Sequence, residues 1–241
     1  MMTRLQNKFG LSAFALKMIM AVLMLMDHLT YFFPEVFPLW FRFAGRLVAP
    51  TFAFLMTVSL YHTRNRIKYV LRLGGAGLVM LGASALLTRS VGGWPITNTI
   101  FLSLAVGAAM IVLLEQIPLD LEKGKPAGAL LRLAALLALT YAATHVEGFF
   151  LIPFFALTFY FLRARKLAMC LVYILGGSAV VWLSDFQDQQ YLQALALIPI
   201  FLYNGEKGGR GGPFDKWFFY LFYPLHIWAL YLIRHFMIFG W

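Results

Sequence analysis

The sequence predicts an all-α protein, a polytopic bundle of helices that span a membrane. Hydrophobic residues occupy 61% of the 241 positions and charged residues only 12%, about half the charged fraction of a soluble domain. Apolar runs long enough to cross a bilayer as helices recur along the whole chain. We therefore expect one transmembrane domain that covers residues 1–241.

Breaks at proline, glycine and charged residues divide the chain into about nine predicted membrane-spanning helices. The runs are 11–33, 39–62, 69–88, 97–115, 128–145, 148–162, 167–184, 191–204 and 217–238. The sixth and eighth runs are short for a crossing, so a merger or a re-entrant segment stays open at both.

The basic residues alternate between the two ends of these helices. Fifteen of the 20 Lys and Arg fall at the amino terminus or beside the loops after helices two, four, six and eight. They are Arg4, Lys8, Arg64, Arg66, Lys68, Arg72, Lys123, Lys125, Arg132, Arg163, Arg165, Lys166, Lys207, Arg210 and Lys216. The positive-inside rule then predicts a cytoplasmic amino terminus. It also explains the net charge of +10 without a nucleic-acid partner.

The first helix carries three polar residues in an apolar run: Lys17, Asp27 and His28. Such groups cost several kcal/mol in hydrocarbon unless they are paired or hydrated, so they indicate function. Lys17 and His28 project from nearly the same helix face, about 16 Å apart along the axis, whereas Asp27 points about 100° away from His28. Arg42 and Arg46 lie at the outer end of the next helix, and we expect them to serve function or to pair with Asp27.

Two further features carry polar groups near the end of the chain. His226 falls near mid-membrane on the last helix, two residues after Pro224. The segment 204–213 is rich in glycine and contains Lys207 and Arg210. It is either a flexible cytoplasmic linker or a cationic loop that receives phosphate oxygens.

Several other chemistries lack their sequence signals. The five histidines show no HExxH spacing and Cys170 is the single cysteine, so we expect no metal site. The chain contains neither a GxSxG elbow nor a Walker loop. Serine hydrolysis and nucleotide hydrolysis are therefore not expected.

The remaining polar pattern favours acyl transfer from a large anionic thioester. Basic residues at the inner face would hold the phosphates of the donor. They are Lys17, Arg64, Arg66, Lys68, Arg72, Lys207 and Arg210. A thin donor arm, on the order of 15–20 Å long, matches the axial distance to His28. A neutral His28 would take the proton of an attacking amine or hydroxyl, and a nearby Arg or Asn would stabilise the oxyanion.

At these residues the chain resembles the TraX family, membrane proteins associated with amino-terminal acetylation of conjugative pilin. The matching pieces, in chain order, are Leu16-Lys17, Met26-Asp27-His28, Gly45-Arg46-Leu47, Pro50–Phe54, His62-Thr63-Arg64-Asn65, Tyr69, Arg72-Leu73, Asn98, Asn204-Gly205 and Tyr220–His226. The segment Gly208–Gly212 is an expansion relative to the family pattern.

The resemblance implies an acetyl-CoA-dependent acetyltransferase of the bacterial cytoplasmic membrane, akin to the acyltransferase-3 type. It makes His28 the catalytic base and adds Asp27, Arg46 and His226 as catalytic candidates. Arg64, Asn65, Tyr69 and Asn204 join the donor-binding candidates. The acceptor, a pilin amino terminus or an envelope glycan, is not identified by the resemblance.

Two other functions stay open at this point. A small proton-coupled transporter would use Asp27, His28 and His226 as a proton relay, although no internal repeat supports that architecture. A non-catalytic partner in the assembly of an envelope complex would need no buried base.

Overall fold

The computed structural model describes residues 10–184 and 188–239, and every regular element in those ranges is helical. The α-helices are α1 (Ala13–Phe32), α2 (Trp40–Gly45), α3 (Val48–His62), α4 (Arg66–Val91), α5 (Ile100–Glu122), α6 (Pro126–Ala143), α7 (Leu151–Phe161), α8 (Lys166–Leu171), α9 (Gly177–Leu183), α10 (Leu197–Phe201) and α11 (Pro213–Phe239). The all-α prediction is confirmed. Arg4 and Lys8, which contributed to the predicted orientation, lie outside the described residues.

Seven helical segments of the described chain are long and apolar enough to cross a membrane. They are Ala13–Phe32, Trp40–His62, Arg66–Val91, Ile100–Glu122, Pro126–Ala143, Lys166–Leu183 and Trp217–Ile238. The polytopic membrane class is thereby confirmed, whereas the predicted count of nine spans is not.

The count differs at the two runs that are short in sequence. The sixth run forms α7, which has 11 residues and spans only about 16 Å at 1.5 Å per residue. The eighth run becomes a 3-10 helix, Asp188–Ala196, followed by the five-residue α10. The 3-10 helix begins with polar residues, and Gln193 of the run hydrogen-bonds at 3.1 Å to Gln190, which directly precedes the run. Neither the 3-10 helix nor α10 is long and apolar enough for a crossing.

The chain divides into two compact units, and the boundary falls inside α3, after Phe52. The first unit contains the chain up to Phe52 and the segment from Asp185 to the carboxyl terminus, and in it α1 packs against α2 and α11. The second unit runs from Ala53 to Ser184, and in it α5 packs against α4, α6 and α7. The assignment of residues 1–241 to one functional domain stays a prediction.

Helix α1 begins at a side-chain cap and buries one row of residues. The Ser12 hydroxyl accepts a hydrogen bond from the Ala15 amide at 3.2 Å, which satisfies one of the amides that a helix leaves unbonded at its start. The buried residues of α1 recur every four positions, as expected for side chains that lie above one another along a helix. The row consists of Leu16, Met20, Met24, His28 and Phe32.

Helix α11 buries a matching face in the same unit. The face follows the three- and four-residue spacing of a helix stripe and consists of Tyr223, His226, Ile227, Leu230, Tyr231 and His235. Leu221, Leu225 and Ile233 on the other side are half exposed, as suits contact with lipid. The periodicity of α1 and α11 therefore places His28 and His226 on faces that turn away from lipid.

The glycine-rich segment is bound to the start of α1 by backbone hydrogen bonds. The amides of Ala13 and Phe14 donate to the carbonyls of Glu206 and Lys207 at 2.9 and 3.0 Å. The Asn204 amide donates to the Leu11 carbonyl at 3.0 Å. The segment therefore caps α1, which differs from the expectation of a flexible linker.

Two glycines of this segment have left-handed backbones but different surroundings. Gly208 has a φ of 62°, and a Cβ atom there would lie 2.1 Å from the Ser12 hydroxyl oxygen. Gly205 has a φ of 86° and open space around its Cα. Gly208 is thus required both by its backbone conformation and by its close approach to the α1 cap.

We predict that Gly208→Ala destabilises the protein more than Gly205→Ala. The left-handed backbone alone costs roughly 1–2 kcal/mol for alanine, and Gly208→Ala adds a clash with the Ser12 cap. Thermal unfolding of the purified protein in detergent measures both effects. Equal melting temperatures for the two variants would show that the loop does not dock closely on α1.

Candidate functional site

The centre of the candidate site is a hydrogen bond between two buried histidines of the first unit. The Nδ1 atom of His28 on α1 lies 2.8 Å from the Nε2 atom of His226 on α11. Both residues are buried, with 6% and 9% of the residue surface exposed. The fold thus joins two catalytic candidates that are 198 residues apart.

A backbone carbonyl determines which nitrogen of each ring carries the proton. The Nδ1 atom of His226 lies 2.6 Å from the Phe222 carbonyl oxygen, and a carbonyl can only accept. We therefore assign the proton of neutral His226 to Nδ1, which makes its Nε2 an acceptor. His28 must then donate from Nδ1, and its basic lone pair is on Nε2.

Aromatic rings surround the histidine pair. The Phe222 ring stacks on His226 with centroids 4.7 Å apart, and the Tyr223 ring meets both imidazoles edge-on at 6.4 and 5.9 Å. Pro224 follows Tyr223 in the sequence, and because proline lacks an amide proton it removes one hydrogen-bond donor from α11. These contacts restrict the orientation of both imidazoles.

Asp27 lies next to His28 in α1 and pairs with two arginines of the same unit. Its Oδ1 atom lies 3.6 Å from Nε of Arg42 and 3.5 Å from Nη2 of Arg46. The approach of α2 to Asp27 depends on a glycine, because a Cβ atom at Gly45 would lie 2.4 Å from the Asp27 Cβ.

Arg46 is held by hydrogen bonds to its neighbours. Its Nη1 donates to the Gln190 side-chain oxygen at 2.8 Å, and its Nε donates to the Arg42 carbonyl at 3.3 Å. Gln190 in turn donates to Gln193 at 3.1 Å. Sequence reasoning missed both glutamines, although the polar run 188–190 between the seventh and eighth predicted spans was a usable signal.

The basic donor-binding candidates of the first unit lie at the start of α1. The Lys17 ammonium group lies 5.5 Å above the Phe219 ring of α11, a cation–π contact. Asn204 donates to the Gly10 carbonyl at 3.3 Å and accepts from the Glu206 amide at 2.9 Å. These bonds anchor the loop that carries the exposed residues Lys207 and Arg210.

The other donor-binding candidates belong to the second unit, around the start of α4. Asn65 caps this helix, because its side-chain oxygen accepts from the Lys68 amide at 2.8 Å. The Arg72 guanidinium lies 5.3 Å from the centroid of the Tyr69 ring. Arg64, Lys68 and Arg72 are exposed, and Arg66 is half buried. Their binding of donor phosphates stays a prediction.

Arg66 takes part in an ion pair that the sequence analysis did not anticipate. Its guanidinium donates to Glu115 of α5, which also accepts from the Tyr160 hydroxyl at 2.8 Å. The Arg163 guanidinium lies 4.8 Å from the centroids of both Tyr61 and Tyr160. A single acid at the end of an apolar run was the signal for Glu115.

Comparisons with known proteins support the resemblance along nearly the whole chain. The family model described as "TraX protein" matches residues 12–234. A relative named "Probable fimbrial assembly protein FimC, serogroup H1", from Dichelobacter nodosus, is 26% identical over 246 aligned residues, which cover 92% of this chain and 96% of the relative. No solved structure matches.

We predict that Gly45→Ala destabilises the first unit. The new methyl group would overlap Asp27 and push α2 away from α1, and overpacking of this kind costs about 1–3 kcal/mol. Gly82→Ala on α4 is the matched control, because a Cβ atom there meets nothing within 4 Å. Thermal unfolding in detergent should show a lower melting temperature for Gly45→Ala and no decrease for the control. A melting temperature unchanged by Gly45→Ala would contradict the α1–α2 geometry.

Proposed function

The chain belongs to the TraX family, and we propose that it is an integral-membrane acetyltransferase that moves an acetyl group from cytoplasmic acetyl-CoA to an amine or a hydroxyl. The observation that carries this proposal is the hydrogen bond between His28 and His226. It supplies a buried imidazole with a defined tautomer, which general base catalysis requires. Acetyl-CoA acts here as a substrate, and the proposed chemistry uses no metal.

The proposed acceptor is a pilin amino terminus or an envelope glycan at or beyond the membrane. The relative from Dichelobacter nodosus carries a name that refers to fimbrial assembly, which supports a role in pilus biogenesis. We place the protein in the bacterial cytoplasmic membrane with its amino terminus in the cytoplasm. The alternation of basic residues along the sequence supports this orientation.

In the proposed reaction His28 is the general base. Its Nε2 takes a proton from the acceptor while the acceptor nitrogen or oxygen attacks the thioester carbonyl carbon. The tetrahedral intermediate then loses the CoA thiolate, and the proton on His28 passes to that sulfur. One carbon–nitrogen or carbon–oxygen bond forms, and one carbon–sulfur bond breaks.

The neighbours of His28 have supporting roles in this scheme. The bond from His28 Nδ1 to His226 becomes stronger as positive charge develops on His28, because charge-assisted hydrogen bonds exceed neutral ones. His226 is thus a positioning residue, and the Phe222 carbonyl fixes its tautomer. We assign Arg46 to stabilisation of the oxyanion and Asp27 to the orientation of Arg46.

The start of α1 supplies a phosphate site for the donor in the first unit. Lys17 is eleven residues before His28, which corresponds to about 16 Å along α1. The docked loop brings Lys207 and Arg210 to this same end of the helix. We propose that these three cations bind CoA phosphates and that the pantetheine arm extends along α1 to His28.

We predict that His28→Gln lowers acetyl transfer at least 100-fold, because general base catalysis contributes roughly 10²–10⁴ in rate. His226→Gln should have a smaller effect, since it leaves the base in place but removes its orienting partner. The assay is transfer of radiolabelled acetyl from acetyl-CoA by the purified protein in proteoliposomes that contain envelope components as acceptors. His145→Gln is the matched control, because His145 is exposed.

Full activity of His28→Gln would reject the assigned base. A hydrogen-bonded pair of histidines is also suited to a proton relay, which favours one alternative function, that of a proton-coupled transporter. Substrate flux across the proteoliposome membrane without any acetylated product would support that alternative. A third result, co-purification with an envelope complex and no effect of His28→Gln, would indicate a non-catalytic assembly partner.

A further inference from the structure

Arg42 is an arginine whose side-chain donors make no hydrogen bond within the described residues. It lies on α2 with about 20% of its side chain exposed, and its guanidinium is 5.5 Å from the centroid of the Tyr31 ring. Its nearest acidic atom, Oδ1 of Asp27, is 3.6 Å from Nε, which is too long for a hydrogen bond. Among the described residues, no acceptor bonds to the side-chain donors of Arg42.

The Asp27 carboxylate, next to Arg42, can also accept a further hydrogen bond. Its Oδ1 atom is buried and lacks a hydrogen-bond partner among the described residues, although both guanidinium groups lie within 3.6 Å. Buried polar atoms are normally hydrogen-bonded, and an exception requires an explanation. A ligand with one acceptor group and one donor group would supply the missing hydrogen bonds of both Arg42 and Asp27.

Arg46 differs from Arg42 because its own hydrogen bonds hold it in place. It donates to the Gln190 side chain at 2.8 Å and to the Arg42 carbonyl at 3.3 Å. Arg42 is instead stacked on Tyr31, a ring with 48% of its surface exposed. The two side chains are about equally exposed, so the guanidinium whose donors remain available to a ligand is that of Arg42.

We infer that Arg42 binds an acidic group, a carboxylate or a phosphate, of the acceptor molecule. This inference rests on the proposed acetyltransferase function and specifies the acceptor: its acetylated amine or hydroxyl lies close to an acidic group. The guanidinium fork of arginine fits both oxyanions with two parallel hydrogen bonds. The Oδ1 atom of Asp27 accepts a hydrogen bond from a neighbouring N–H or O–H group of the same molecule.

The position along α1 assigns this oxyanion to the acceptor rather than to the donor. Asp27, which Arg42 faces, directly precedes His28 in the chain. Lys17, at the proposed phosphate site, is ten residues earlier, about 15 Å along the helix axis. The CoA phosphates would therefore be bound far from Arg42, whereas an acidic group near the attacking atom would meet it.

The test compares two synthetic acceptors, the peptides Ala-Glu-Ala-amide and Ala-Gln-Ala-amide, which differ only in one acidic group. We expect the wild-type protein to acetylate the glutamate peptide with a kcat/KM about 10-fold to 100-fold higher, the range for a hydrogen bond to a charged group. Arg42→Gln should abolish this preference by raising KM for the glutamate peptide, with KM for acetyl-CoA unchanged. Arg42→Lys should retain part of it, because lysine keeps the charge but loses the fork.

Arg234→Gln is the matched control. Arg234 lies on α11 in the same unit, its guanidinium donates to Glu35 at 2.9 and 3.1 Å, and it has no role in the proposed reaction. This variant should keep the wild-type preference. Thermal unfolding of each variant shows whether its first unit is intact.

Three results would overturn the inference. They are equal kinetics for the two peptides with the wild-type protein, transfer to neither peptide, and a KM for acetyl-CoA that rises in Arg42→Gln, which would assign Arg42 to a donor phosphate. The proposed function has its own test in the proteoliposome assay with envelope acceptors. Transfer there that depends on His28, together with equal peptide kinetics, would retain the acetyltransferase and reject only the role of Arg42.

Discussion

The hydrogen bond between His28 and His226 is the constraint on which the rest of the first unit depends. It requires α1 and α11 to place imidazole nitrogens 2.8 Å apart, although the two helices come from opposite ends of the chain. Two polar rings would be costly on lipid-facing surfaces, where no partner is at hand. Buried against each other, with Phe222 as the terminal acceptor, they satisfy one another and have defined tautomers. The same bond thus serves packing and the proposed chemistry.

Two further clusters of the membrane segments pair an acid with arginine. Glu115 accepts from both Arg66 and Tyr160 in the second unit, and Asp27 lies between Arg42 and Arg46 in the first. The difference between these two clusters is in their hydrogen bonds. Both oxygens of Glu115 are bonded, as in a structural ion pair, whereas the Asp27 Oδ1 atom is not. This contrast is the reason to look for a ligand near Asp27 rather than near Glu115.

Hydrophobic pattern and charge placement were sufficient to predict the fold class and most of the long helices. The first predicted run, 11–33, agrees with α1 to within two residues at either end, because apolar length is a local property of the sequence. The eighth run, 191–204, was overestimated, since its glutamine, Gln193, bonds to Gln190 within the protein instead of facing lipid. The pairing of His28 with His226 was not predictable, because it depends on how α1 and α11 rotate against each other. Gln190 was missed for the same reason: its partner, Arg46, is 144 residues away.

The most direct test of the central claim is nitrogen-15 NMR of the protein with labelled histidines, at neutral pH, with His28→Gln and His226→Gln samples for assignment. The structure predicts that both rings carry their proton on Nδ1. It also predicts a coupling across the hydrogen bond between His28 Nδ1 and His226 Nε2, which should be absent from both variants. A His28 ring protonated on Nε2, without that coupling, would contradict the account, because the lone pair assigned to base catalysis would then be on the other nitrogen.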